Sequence, residues 1–261
     1  MLRSLYTAAT GMQAQQLRLD ITAHNLANAS TTGFKKGRAD FEDLLSETIR
    51  PATGPQAGNG GSPTPLEVGL GTRLSSTTRF LAQGDMVATN NPLDVSIEGN
   101  GFFAVQRPNG DAAFTRAGNF RVDATGRLVT AHGDLVEPGI TVPQEALSVA
   151  IKPDGVVQAQ VPGRGEPVQL GVLELVTFTN PGGLESMGNN LLRATEASGE
   201  PQRVRPGEDG TGALAQGYLE GSNVEAATEM IDMIVTQRAF EMSSKVIQTT
   251  DQMLQKLTNL R

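Results

Sequence analysis

The chain has 261 residues, with 21 Lys and Arg against 28 Asp and Glu, a formal charge of −7. That length can enclose a sizeable core, and an acidic chain without a basic block argues against nucleic acid as its main partner. The absence of Cys excludes disulfides, thiolate metal sites and thiol catalysis, and two His (His24, His132) leave little for a His-based triad or a zinc site.

No run of 18 apolar residues is present to cross a membrane as a helix, and residues 1–11 lack the apolar block of an ordinary signal peptide. All 14 Pro lie between Pro51 and Pro206; only Gly11, Gly33 and Gly37 precede residue 50, and no Gly follows Gly221. Pro and Gly cost a helix interior about 3 and about 1 kcal/mol relative to Ala. Both ends can therefore be long helices, and the middle cannot.

The N-terminal segment carries a heptad pattern: Leu2, Ala9, Gln16 and Ala23 form one series, and Leu5, Met12, Leu19 and Leu26 the other. Its remaining face is Gln, Thr, Ser and Ala with few charges, so protein is expected to cover it on more than one side. Asn25 and Asn28 suit either hydrogen bonding between subunits or a helix end before Gly33. After a short helix, residues 50–65 are rich in Gly, Pro, Ser and Thr and read as a linker or long loop.

The middle reads as antiparallel β structure. Leu93, Val95 and Ile97 alternate, Gly99-Asn100-Gly101 turns, and Phe102 to Val105 follows; further short apolar runs are Phe114–Val122, Leu128–Thr130, Leu147–Ile151 and Val168–Phe178. Pro108-Asn109-Gly110, Ala124-Thr125-Gly126 and Pro153-Asp154-Gly155 are turn signals between them. One of Phe102 and Phe103 is expected in the core and the other against a neighbour. Asp94, Glu98 and Asp123 are the carboxylates best placed for an acid/base pair, though solvated turns and strand edges account for them far better. Gly99-x-Gly101 lacks the context of a phosphate loop, His24 reads as a helix-face residue and His132 as a loop residue. No cofactor, metal or catalytic site is expected.

At the C-terminus, Ser222-x-x-Glu225 has capping-box spacing. Met233, Phe240, Ile247 and Leu254 repeat every seven residues, as do Ala239, Val246, Met253 and Leu260, giving one broad stripe. The N-terminal stripe, taken alone, buries too few large side chains to offset about 1–2 kcal/mol of backbone entropy per ordered residue. Both ends are therefore expected to order on assembly, covering their apolar edges with sister copies rather than within the chain.

Asn25-Leu26-Ala27-Asn28-Ala29-Ser30-Thr31-Thr32-Gly33-Phe34-Lys35 resembles the N-terminal signature of bacterial flagellar rod and hook proteins. Thr89-Asn90-Asn91-Pro92-Leu93-Asp94-Val95 with Gly99-Asn100-Gly101-Phe102-Phe103 is similar to the opening of their β domain. Ser222-Asn223-Val224, Met230 to Ile234, Gln237 to Glu241 and Asp251 to Leu254 resemble their C-terminal helix. Length, Phe41-Glu42-Asp43-Leu44-Leu45 and residues 50–71 look most like the distal rod branch of that family.

The resemblance implies an α+β fold: a coiled-coil-like layer of terminal helices (1–35 and 222–261), a short helix and extended loop (36–84), and an outward β-rich domain (85–221). It implies a non-enzymatic structural subunit that self-assembles into a rigid helical tube carrying motor torque. The tube would lie in the basal body, spanning periplasm and outer membrane after flagellar type III export. Its partners would be other rod proteins, hook subunits and the peptidoglycan and outer-membrane bushing rings. Leu5, Met12, Leu19, Leu26, Asn25, Asn28, Met233, Phe240, Ile247 and Leu254 would carry self-assembly. A proximal rod or hook subunit, or a secreted β-rich cell-wall hydrolase, are the rival readings.

Overall fold

The computed structural model describes residues 2–52, 64–163, 166–208 and 210–259. Most of the expected loop at 50–65 lies outside the described residues. The chain divides into two compact units. One comprises residues 1–27, 37–78 and 225–261, the other 28–36 and 79–224.

The first unit is built on two helices, α1 (Leu2–Ala27) and α2 (Ala226–Asn259). They pack antiparallel: a Cβ on Gly11 would sit 3.8 Å from Ser243 Oγ, and Asn25 bonds Glu229 at the other end. This corrects the expectation that sister copies alone cover these edges. The missing contribution is α2 itself, 34 residues long, which lets the chain order both helices at once.

Residues 37–50 form strands where a short helix is expected. Gly37–Asp43 pairs with Thr72–Arg79, and Glu47–Arg50 pairs antiparallel with Leu66–Val68. The Leu44 N–H donating to the Gly71 carbonyl (2.9 Å) joins the two pairs into a ribbon. The ribbon also covers α1: a Cβ on Gly37 would meet Ile21, and the Thr10 hydroxyl accepts the Thr72 N–H. α1 is thus flanked on two sides within its unit, by α2 and by the ribbon, which is why so much of its surface does without charge.

The second unit is antiparallel β throughout its described strands. Its largest sheet is centred on Phe102–Gln106, which pairs with Ala112–Thr115, Leu135–Val136 and Leu175–Thr177. A three-stranded sheet (Ser148–Ile151, Val156–Gln160, Val168–Val172) and the ladders Val95–Glu98 with Ala213–Gln216 and Met86–Ala88 with Tyr218–Glu220 complete it. Gly110, Gly126 and Gly155 of the anticipated turns all adopt positive φ.

Phe102 and Phe103 are both buried, on opposite faces of their strand. Phe103 packs edge-on to Phe120 in the larger cluster with Val95, Ile97 and Leu175; Phe102 packs on Phe178 in a second cluster with Phe114 and Leu192. The expectation that one of them meets a neighbour is corrected, because the sheet is covered on both sides.

Candidate assembly surface on the helix pair

The in-chain face of α2 is a heptad series, Glu229, Met233, Thr236, Phe240, Ser243, Ile247, Thr250 and Leu254. Its most enclosed members are polar: Glu229, Thr236 (1% exposed) and Thr250 are buried. Each hydroxyl is satisfied on its own helix, Thr236 donating to the Asp232 carbonyl (2.7 Å), Ser243 to Ala239 (3.0 Å) and Thr250 to Val246 (2.8 Å). A small side chain whose hydroxyl is already paired admits a close neighbouring helix at no desolvation penalty. Met233, Ile247 and Leu254 are half-buried beside this line, and Phe240 is 39% exposed.

On α1, Leu5, Met12, Leu19 and Leu26 are all half-buried. Asn25 is buried, with its amide spent inside the unit: Nδ2 donates to the Gly37 carbonyl (2.9 Å) and to Glu229 Oε2 (3.2 Å), and Oδ1 accepts the Gly37 N–H (2.9 Å). It joins α1, the ribbon and α2 at one point. Asn28 is half-buried and accepts a bond from the Thr31 hydroxyl (3.2 Å). Ser222 caps differently from expectation. Its hydroxyl accepts the Val224 N–H, and the helix starts at Ala226 with Glu225 taking the Thr228 hydroxyl and the Glu229 N–H.

α2 also carries large apolar side chains that stay about half exposed or more, among them Ile231, Val235, Met242 (64% exposed), Val246 and Met253.

Within the β unit, the Thr31-to-Lys35 motif has a structural task. Gly33 is left-handed (φ +69°), and a Cβ there would lie 2.7 Å from the Ala117 nitrogen. Lys35 is buried and pairs with the fully buried Glu220, whose carboxylate also takes Arg116 Nη1 (3.2 Å) and the Gly84 N–H (3.0 Å). Burial holds the Lys35 amine and the Arg116 guanidinium below their ordinary pKa values, with Glu220 opposing the shift in each. Asn223 closes the same junction, accepting the Lys36 N–H (2.8 Å) and donating to the carbonyls of Phe80 (2.8 Å) and Ala82 (3.1 Å).

The sequence's carboxylate candidates are tied up locally. Asp94 accepts the Asn91 amide (3.0 Å), and Asp123 is held well below the usual carboxylate range by the Thr125 hydroxyl and by Arg127. Glu98 is exposed. His132 lines a polar cleft of about 220 Å³ with Thr31, Thr32, Asn119, Asn189 and Asn190. Among the described residues, no group of three or more acidic or His side chains could hold a metal ion, and no helix is long and apolar enough to cross a membrane.

Three family models match segments that carry these features: a flagella basal body rod protein model over residues 5–35, a flagellar hook protein FlgE/F/G D1 domain model over 96–159, and a flagellar basal body rod FlgEFG C-terminal model over 215–260. The chain is 48% identical over 260 residues to the flagellar basal-body rod protein FlgG of Buchnera aphidicola subsp. Acyrthosiphon pisum, covering all of both chains. The chain belongs to the flagellar basal-body rod protein family. The rod proteins FlgG of Caulobacter vibrioides (46% over 262 residues) and Bacillus subtilis (40% over 266) also match from end to end. A flagellar hook protein FlgE of Helicobacter mustelae matches 52% of this chain and 30% of its own length, at 45% identity.

Sequence reasoning about this rod protein missed Lys35, Arg116, Glu220 and Asn223 as a functional group. The signal available was the pair of motifs around Lys35 and Asn223, which family resemblance marks but whose spacing gives no hint of their contact. It also passed over Glu229, Thr236, Ser243 and Thr250, because a polar heptad series does not register as a packing seam.

Proposed function

We propose that the chain is a structural subunit of the flagellar distal rod, copies of which build a rigid helical tube that carries motor torque to the hook. The end-to-end similarity to proteins named FlgG supports this reading over a hook subunit, and it is the observation that carries it. In this reading residues 1–35 and 222–261 form the inner layer, and Leu5, Met12, Leu19, Leu26, Met233, Phe240, Ile247 and Leu254 hold it, while Asn25 and Asn28 fix the local chain path. Residues 85–221 face outward. Subunits reach the growing end through the flagellum's own type III apparatus. There they meet other rod proteins, hook subunits and the bushing rings of peptidoglycan and outer membrane.

Mechanism here is mechanics. Torque passing along parallel helices is shared among many small contacts, each far below the strength of a covalent bond. The test is a deletion of the encoding gene followed by electron microscopy of purified basal bodies. The expected particles end short of the outer-membrane ring position and lack hooks, and supplying the intact chain restores both. Full-length rods with hooks in its absence refute the proposal.

A further inference from the structure

Two stretches of the β unit that are far apart in sequence, residues 33–36 and 220–223, lie side by side. The Gly33 N–H donates to the Glu220 carbonyl (2.8 Å), the Asn223 N–H to the Phe34 carbonyl (3.4 Å) and the Lys36 N–H to Asn223 Oδ1 (2.8 Å). The buried Lys35–Glu220 ion pair bridges the same two stretches. These contacts advance in the same order along both, so the stretches run in the same direction. A third stretch backs them. The Phe80 N–H donates to the Lys36 carbonyl (2.9 Å), Asn223 Nδ2 to the carbonyls of Phe80 and Ala82, and Lys35 Nζ to the Ala82 carbonyl (2.7 Å). The backing is close: a Cβ on Gly84 would lie 2.4 Å from the Gly221 carbonyl oxygen.

The β unit begins at residue 28 and ends at residue 224. Tension between those ends draws the first stretch toward its N-terminus and the second toward its C-terminus. Stretches that run in the same direction then slide past each other, and every bond between them is strained at once. An antiparallel ladder pulled from its open end yields one pair at a time, each bond meeting the load alone. Resistance to force is therefore set by how many bonds must fail together; forced unfolding follows the unfolding rate, not the equilibrium stability. The Lys35–Glu220 bond is charge-assisted and enclosed, so it is stronger than a neutral bond and little screened by salt.

We propose that residues 33–36 and 220–223 form a shear clamp, a device that keeps the β unit closed under tension applied through its two ends. Asn223 and Lys35 are the side chains that lock it. The bearing of the clamp on torque rests on the rod-subunit reading and deepens it: load passed along the chain from residues 27 and 225 reaches the clamp before any sheet of the β unit. The resistance itself belongs to the single chain.

The test is single-molecule force spectroscopy on the full chain, held by tags added at its termini. Because α1 and α2 pack antiparallel, the first turn of α1 and the last of α2 are neighbours, and the pair peels first at low force. The β unit then takes the load at residues 28 and 224. It is expected to open in one event releasing roughly 600 Å of chain. The force should be at least twice that needed to open the hairpin of Ser148–Ile151 and Val156–Gln160, held through L147C and Q160C in this Cys-free chain. Asn223→Ala and Lys35→Met are each expected to lower the clamp force by a third or more and to leave the hairpin force unchanged. Val157→Ala, buried in the three-stranded sheet, is expected to lower the urea midpoint and keep the clamp force within a tenth of the parent's.

A β unit that opens no harder than the hairpin overturns the clamp and leaves the rod reading standing. So does a clamp force that falls with Val157→Ala but not with Asn223→Ala or Lys35→Met. If those two variants do not fold, the ratio of the two pulling directions in the parent chain decides. The expected forces, in a chain whose gene deletion leaves full-length rods, support the clamp and refute its part in torque.

Discussion

Substituting Glu220→Gln removes the anion from a site where Lys35 and Arg116 are both buried. The structure sets the size of the effect. The carboxylate faces two cations and the Gly84 N–H in a fully enclosed position, so its loss leaves two buried charges with one neutral amide between them. Breaking a buried pair by removing one partner costs about 3–5 kcal/mol. The assay is urea denaturation at pH 7 in a Tyr6→Phe background, where Tyr218 of the β unit is the sole remaining tyrosine and the chain has no tryptophan.

The pH dependence follows from burial lowering the Lys35 pKa beneath its ordinary 10.5. Between the folded pKa and 10.5, the unfolded chain holds a proton that the folded chain gives up, so stability rises with pH across that window. Without Glu220 the folded pKa drops further and the window widens downward. A loss under about 1 kcal/mol at pH 7, or a variant whose stability falls with pH through that window, refutes the claim that this triad fastens the β unit.

Gly33→Ala forces a Cβ against the Ala117 nitrogen in a left-handed conformation and is expected to cost at least about 2 kcal/mol in the same denaturation assay. Asn25→Asp replaces a donor to the Gly37 carbonyl and Glu229 with a carboxylate facing both, which is expected to favour its protonated form; the protection factors of α1 amides, corrected for intrinsic exchange, should then rise as pH falls from 7 to 4, with no such rise in the parent chain. Asp123 has a lowered pKa, so its turn's contribution is present above 3.8 and lost as pH falls below it; a carboxyl NMR titration should find it still ionised where ordinary aspartates are protonated. Leu19→Asp and Ile247→Asp strike the in-chain helix pair and should abolish assembly while the β sheets stay folded, judged by amide exchange of Phe102–Gln106.

Much of the fold was legible because its periods are local. The heptads of α1 and α2 and the turn glycines Gly110, Gly126 and Gly155 each declare themselves within a few residues. The strand Gly37–Asp43 did not, since Phe41-Glu42-Asp43-Leu44-Leu45 satisfies either period and its partner, Thr72–Arg79, lies some thirty residues on. The Lys35–Arg116–Glu220 group was invisible for a related reason: three charges drawn from distant parts of the chain have no spacing, and a lone charged residue reads as solvated until its partners are known. Along α2 the difficulty was chemical. Thr236 and Thr250 count as polar in any pattern, yet bonding to their own helix makes them fit for a dry seam.

The junction of residues 33–36 with 220–223 has an evolutionary corollary. The first segment of the β unit, residues 28–36, is tied to its last residues by the Gly33 N–H donating to the Glu220 carbonyl and by the Lys36 N–H donating to Asn223. A tie between the two ends of the unit holds them together independently of the length of the turns between residues 79 and 219. Insertions at a turn such as Gly163, where a side chain would meet open space, should therefore be tolerated with the tie intact.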